Sequence, residues 1–235
     1  MNIAIIAAAG QGTRMGQRRA KQFLELAGTP IIIHTLQRFE QCPHIQETVV
    51  VLPAQDVAGF LAIAGKHGLR KLARVIPGGA SRMESVWRGL QAIRPQTAEV
   101  IAVHDGVRPF VTPEEIERTV AAAEEHGAAV LCAPASDTIK EIQDGRVVRT
   151  LERARLGHAL TPQCFRYALL RRAYEAALAR GLEATDCSSL VEALGETVIV
   201  VEGSARNIKI TRPEDIAFGE ILLRQEAEAR SQKPE

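Results

Sequence analysis

The residues of this chain best suited to chemistry lie close together near its start: Gly10, Gly12 and Gly16, with Arg14 among them, then Lys21. They follow Ile3-Ala4-Ile5-Ile6-Ala7-Ala8-Ala9, an apolar run that suits a buried strand of a parallel sheet. Glycines there let the backbone approach a ligand and turn its N–H groups outward, as a loop that cradles phosphate oxygens does. A guanidinium and an ammonium add fixed positive charge for the same oxygens. Two common phosphate motifs do not fit. The dinucleotide fingerprint needs its third glycine one place before Gly16, and an acid near the end of the second strand, where Val51-Leu52-Pro53 stands. A P-loop needs Gly-Lys-Ser/Thr, which does not follow these glycines. What remains is a nucleoside triphosphate loop carrying its own Arg and Lys. A strand-to-helix turn with solvated basic residues would account for the glycines alone.

Two further stretches place reactive groups at the ends of strands. Val103-His104-Asp105-Gly106-Val107-Arg108-Pro109 follows a buried apolar run, where open α/β sheets bind ligands. Asp105 there is either a ligand for a substrate or its metal, or simply the first half of an Asp-Gly turn. Arg108 has either Asp105 or another carboxylate as partner. Gly78-Gly79-Ala80-Ser81-Arg82-Met83-Glu84-Ser85 opens a helix with two glycines, either a plain N-terminal loop or a close approach to a flat base. The cysteines (Cys42, Cys132, Cys164, Cys187) are scattered, with no C-x-x-C, which fits buried reduced thiols. No H-E-x-x-H occurs. Any metal is therefore expected to be a hard ion held by carboxylate and phosphate, not zinc.

The elements that must position these groups alternate. Strands are expected at residues 3–9, 47–52, 72–76, 100–103, 128–133 and 198–201, with helices over about 31–41, 55–67, 81–90, 113–126, 165–179 and after Pro213. Thr29 and Pro30 read as N-cap and first helical residue, and Thr112-Pro113-Glu114-Glu115 as a capping box. This rhythm predicts a doubly wound α/β sheet. One segment interrupts it. Residues 138–142 and 147–151 are strand-like and joined through Gln143-Asp144-Gly145, a hairpin with too few apolar residues to bury itself. At 235 residues, 46% hydrophobic, 24% charged and with a net charge of +1, the chain has an ordinary globular composition and no bulk charge for nucleic acid. No apolar run approaches a membrane span, and the N-terminus lacks a signal-peptide pattern, so the cytoplasm is expected.

The order of these motifs resembles the 2-C-methyl-D-erythritol 4-phosphate cytidylyltransferases of the non-mevalonate isoprenoid route. Ala8-Ala9-Gly10-x-Gly12-x-Arg14-Met15 with Lys21-Gln22-Phe23 matches the family's first signature. Gly78-Gly79-x-x-Arg82-x-x-Ser85 matches its second, and His104-Asp105-x-x-Arg108-Pro109 its third. His158 through Pro162-Gln163, Thr185-Asp186 and Asn207-Ile208-Lys209-Ile210-Thr211 follow in order, so the resemblance spans residues 4 to 215. It implies a Rossmann-like, mostly parallel nucleotidyltransferase domain over residues 1–230 with an arm at about 136–155, and the polar tail at 231–235 is expected to fray. It implies Arg14 and Lys21 as catalytic groups, and Ala8, Ala9, Gly10, Gly12, Thr13, Gly78, Ser85 and Asp105 around CTP, with Asp105 also holding Mg²⁺. Thr138, Arg153, Thr161, Thr185 and Lys209 would hold the acceptor, and a homodimer would form through the arm. The chain departs from the family's pattern at Ala20, Gly157, Cys187 and Arg206, and the last three lie on the acceptor side. Another polyol phosphate such as ribitol 5-phosphate is therefore the rival acceptor, and a non-catalytic nucleotide-binding regulator the rival function.

Overall fold

Strand β1 (Ile3–Ala7) is the axis of the molecule, with Ile3 through Ile6 buried on both faces. The structure, a computed structural model, describes residues 1–10 and 21–231. After β1 come a short antiparallel pair, β2 (Glu25–Leu26) and β3 (Thr29–Pro30), and helix α1 (Ile31–Gln41). Then β4 (Glu47–Leu52), α2 (Val57–Ala64), β5 (Leu72–Pro77), α3 (Arg82–Gln91) and β6 (Val100–Asp105) alternate. Helix α4 (Pro113–His126) leads into β7 (Ala128–Pro134), the hairpin β8 (Lys140–Gln143) and β9 (Arg146–Thr150), and β10 (Gly157–Arg166). Helices α5 (Tyr167–Arg180) and α6 (Cys187–Glu192), strand β11 (Ile199–Glu202) and helix α7 (Pro213–Ser231) complete the described chain.

Seven strands form one sheet in the order β11-β7-β10-β6-β1-β4-β5. All neighbours are parallel except β10, which is antiparallel to both β6 and β7. The continuous apolar strands are covered on both sides. One core joins β1, β4 and β6 to α1, α2 and α4, and the other joins them to α3, α5 and α6. A third cluster packs Leu222 of α7 on Leu24, Leu26, Ile31, Val107, Phe110 and Ile210. The chain runs outward from β1 through β4 to β5, then returns to β6 on the other side of β1. That reversal makes the carboxyl ends of β1 and β6 the switch point where such sheets bind ligands. The register Ala7↔Asp105 sets the start of the glycine loop, Ala8 to Gly10, beside the aspartate.

Several sequence expectations change. Pro30 precedes the helix instead of starting it, because Thr29 and Pro30 pair with Glu25 and Leu26. Residues 157–166, taken only as a motif, form the long strand β10, and α5 accordingly begins at Tyr167. Helix α2 spans only Val57–Ala64, with a 3-10 turn at Ala54–Asp56 before it. Helix α6 was not foreseen; its N-cap is Asp186 of the Thr185-Asp186 motif. The capping box at Thr112 and Glu115 forms as the sequence predicts. So does the Asp-Gly hairpin, with Asp144 at φ 49° and Gly145 at φ 75°. The four cysteines are unpaired thiols, three of them buried and Cys132 half-buried. No helix among the described residues is long and apolar enough to cross a membrane.

Candidate active site

A cavity of about 370 Å³ opens at the switch point, lined among others by Ala9, Gly10, Lys21, Arg82, Ser85, Asp105 and Lys209. One side of it is the loop between β5 and α3, pinned from several directions. Ser81 caps α3, its hydroxyl accepting from Glu84 N at 3.0 Å. Ser85 Oγ donates to the Ser81 carbonyl at 2.8 Å and accepts from Gly79 N at 3.1 Å. Arg88 Nη1 donates to the Gly78 carbonyl at 2.7 Å. A Cβ on Gly78 would lie 2.3 Å from Ala9 Cβ, so only glycine lets this loop meet the one after β1.

Opposite, Asp105 ends β6 and is buried, with three cations on its carboxylate. Arg82 Nε lies 3.0 Å from Oδ1, Lys209 Nζ 2.7 Å from Oδ2 and Arg108 Nε 3.5 Å from Oδ2. Burial alone would raise this carboxyl; the charges of Arg82, Lys209 and Arg108 outweigh it and hold it well below the usual carboxylate range. The cations arrive from three directions: Arg82 from α3, Arg108 from the turn after β6, and Lys209 from the segment before α7. Ile210 N donates to the Val107 carbonyl at 2.9 Å, tying that last segment to the turn. The turn is fixed from outside as well. Gly106 N donates to Ala7 O at 2.9 Å, Thr35 Oγ1 to Gly106 O at 3.2 Å, and Arg38 Nε to Pro109 O at 3.0 Å. A Cβ on Gly106 would come within 2.7 Å of Ala8 Cβ, so glycine is again required for the close approach.

Of the residues expected around a nucleotide, Ala9, Gly10, Lys21, Ser85 and Asp105 line this cavity, with Ala8 and Gly78 packed directly behind it. Gly12, Thr13 and Arg14 lie outside the described residues, as does Ala20. The acceptor set divides. Lys209 reaches the cavity, whereas Thr138 and Arg153 stand exposed at the foot of the hairpin, where Arg153 Nη1 donates to Ser136 O at 2.8 Å. Thr185 is exposed just before the cap of α6. Thr161 is buried behind Asp105, its hydroxyl 3.2 Å from Asp105 N and 3.0 Å from His104 Nδ1.

Sequence reasoning gave no role to Arg82, His104 or Asn207. All three lay inside the quoted motifs, but their roles depend on partners distant in sequence. His104 is fully buried, and burial brings its imidazole down to about 4, so the ring is neutral at ordinary pH. The Cys187 thiol lies 3.7 Å from Arg82 Nη1 and 3.3 Å from the Tyr174 hydroxyl; burial pushes that thiol up. Among the described residues no three His, Cys, Asp or Glu side chains converge as a metal cage. Asp105 has the oxygen chemistry of a hard-ion site shared with phosphate, which takes one or two protein carboxylates, and such an ion would displace one of the three cations now on its oxygens.

Known proteins resemble this chain along nearly its whole length. The family model described as IspD: 2-C-methyl-D-erythritol 4-phosphate cytidylyltransferase matches residues 2–225. The 2-C-methyl-D-erythritol 4-phosphate cytidylyltransferase of Pelotomaculum thermopropionicum is 43% identical over 223 residues, covering 94% of this chain and 93% of its own. A solved 4-diphosphocytidyl-2C-methyl-D-erythritol synthase from Anaerococcus prevotii superposes with TM-score 0.85 at 34% identity, covering 95% of this chain and 96% of its own. The Thermus thermophilus 2-C-methyl-D-erythritol 4-phosphate cytidylyltransferase superposes with TM-score 0.76 at 36% identity, covering 94% and 98%. With that match running from the first strand into the last helix, the chain belongs to the IspD family of 2-C-methyl-D-erythritol 4-phosphate cytidylyltransferases.

Proposed function

We propose that this protein transfers the cytidylyl group of CTP to 2-C-methyl-D-erythritol 4-phosphate. The products are 4-diphosphocytidyl-2-C-methyl-D-erythritol and pyrophosphate. The observation that carries the reading is a cavity in which Ala9 and Gly10 of the family's first signature meet Lys21, Asp105 and Lys209. An oxygen of the acceptor's phosphate attacks the α-phosphorus of CTP in line. The bond from that phosphorus to the bridging oxygen breaks, and the pair leaves with pyrophosphate. A phosphate monoester is already an anionic nucleophile, so no strong base is needed. The task is to bring two polyanions together and answer the charge that builds around phosphorus. Lys21, and Arg14 by family resemblance, would face the triphosphate. Lys209 would orient the acceptor phosphate. Asp105 would hold Mg²⁺ or a similar ion, which when bound supplies positive charge to the triphosphate oxygens. We place the reaction in the cytoplasm, a compartment that suits unpaired cysteines.

We further propose a homodimer in which the arm of one subunit brings Thr138 and Arg153 to the partner's acceptor site. Two facts support this. Neither residue lines the cavity of its own chain, and the arm leaves apolar side chains in solvent. The deciding experiment for the reaction is pyrophosphate release, measured with each of the four nucleoside triphosphates against a panel of polyol phosphates. Release confined to CTP with 2-C-methyl-D-erythritol 4-phosphate is expected. Faster release with ribitol 5-phosphate would change the acceptor, and no release with any pair would make the protein a binding regulator.

A further inference from the structure

Behind Asp105 four residues close a hydrogen-bonded ring. The two nitrogens of His104 face different oxygens: Nε2 lies 3.0 Å from the Arg108 carbonyl oxygen and Nδ1 3.0 Å from Thr161 Oγ1. A carbonyl oxygen only accepts, so Nε2 carries the proton, and in the neutral ring Nδ1 is then the acceptor. The Thr161 hydroxyl must donate to Nδ1, which leaves its oxygen free to accept Asp105 N–H at 3.2 Å. Asn207 Nδ2 donates to the Thr161 carbonyl at 2.8 Å, and the Asn207 carbonyl accepts from Arg108 Nη1 at 2.7 Å. The ring thus runs from His104 to Arg108, Asn207, Thr161 and back to His104. It fastens Asp105 through its own amide, and Lys209 stands two residues beyond Asn207.

The sheet itself could not make this connection. The antiparallel register Gln163↔Val103, carried onward, sets Thr161 opposite Asp105, but the pairing of β10 with β6 stops at Gln163. Pro162 has no N–H to continue the ladder. The Thr161 side chain takes the place of the missing backbone acceptor for Asp105 N–H.

We infer that His104, Thr161 and Asn207 are positioning residues for cytidylyl transfer, their ring presenting the Asp105 carboxylate, the Arg108 guanidinium and the Lys209 ammonium as one preset unit. This rests on the reaction proposed above. Asp105 and Arg108 share the turn after β6 while Lys209 comes from a segment far along the chain, and transfer between two polyanions depends on charges fixed before the substrates arrive. A displacement of about 1 Å in such a set costs up to ~10² in rate. The ring assigns the Thr161 hydroxyl inward, to His104 and Asp105, rather than to the acceptor.

The test compares Thr161→Val, which keeps the shape and deletes the hydroxyl, with Thr161→Ser, which keeps the hydroxyl. For each, kcat, both KM values and the ring ¹⁵N resonances of His104 are measured. Wild-type protein is expected to show the neutral Nε2–H tautomer. Thr161→Val should lower kcat roughly 10- to 100-fold with both KM values nearly unchanged, and should move the Nδ1 resonance. Thr161→Ser should restore rate and resonance together. An Nδ1–H tautomer in the wild-type protein would overturn the ring without any variant having to fold. An unchanged kcat in Thr161→Val, or a rise in acceptor KM alone with an unmoved resonance, would overturn the positioning role. A wild-type protein with the Nε2–H tautomer but no transferase activity would defeat the reaction and leave the ring standing.

Discussion

The Asp105 centre and the β8–β9 arm are built on opposite terms. Around Asp105 every segment is held by another part of the same chain: Arg82, Arg108 and Lys209 surround the carboxylate, and His104, Thr161 and Asn207 lie buried behind it. The arm has almost none of this. Every residue from 141 to 150 is exposed, with Ile142 at 65% and Val147 at 61% of full accessibility, and Glu141–Arg149 is an ion pair in open solvent. Surface pairs of that kind contribute about 0–1 kcal/mol, whereas removing one partner of a buried ionic cluster costs roughly 3–5 kcal/mol. One region is finished within the subunit. The other is finished only if something covers it.

The largest expected effect comes from breaking the first region. Asp105→Asn leaves three cations around a neutral amide, so it should lower kcat by at least ~10² and also lower stability, by roughly 3–5 kcal/mol. Steady-state kinetics and thermal unfolding measure both. Because the folded carboxyl sits below its ordinary value of 3.8, its ion pairs contribute fully above about that pH. They are lost only as pH falls toward the depressed value. The melting-temperature gap between wild type and Asp105→Asn should therefore stay constant from pH 8 to about pH 5 and close in stronger acid. Equal melting temperatures at pH 7 would mean that the centre is not braced as described.

What the sequence made legible follows the same division. The α/β rhythm, the hairpin and the cavity-lining Gly10, Lys21 and Asp105 were readable because each lies in a short local pattern, whereas Ser85 and Lys209 came only from the family resemblance. Strand β10 was missed because His158 through Gln163 mixes polar residues with Pro162, and its burial depends on β6 and β7 arriving from elsewhere. Arg82 was visible inside its motif, but its partner lies 23 residues away on β6. Thr161 was assigned by family resemblance, and only the packed structure shows its hydroxyl turned toward His104.

A smaller effect is expected from the arm. Ile142→Ser with Val147→Ser should leave the subunit's own melting transition nearly unchanged, since neither side chain is buried in it. Each substitution removes an apolar side chain worth about 1–2 kcal/mol if a partner covers it, and a dimer carries both on each of its two arms, so the dimer should weaken by at least ~10³-fold in Kd. Analytical ultracentrifugation at micromolar concentration reads this directly. An unchanged dissociation constant would mean that the arm's apolar face is not the contact.

The most direct measurement asks whether the region finished alone and the region left open belong to the same catalytic site across two subunits. Lys21→Ala and Arg153→Ala proteins, each shown to be inactive, are unfolded together and allowed to reassemble at equal concentration. If the arm serves the partner, half of the dimers are mixed, and each mixed dimer has one site with both defects and one with neither. About a quarter of wild-type activity should then return. If Arg153 serves its own subunit, every site keeps one defect, and an absence of recovery after demonstrated subunit exchange would contradict the account.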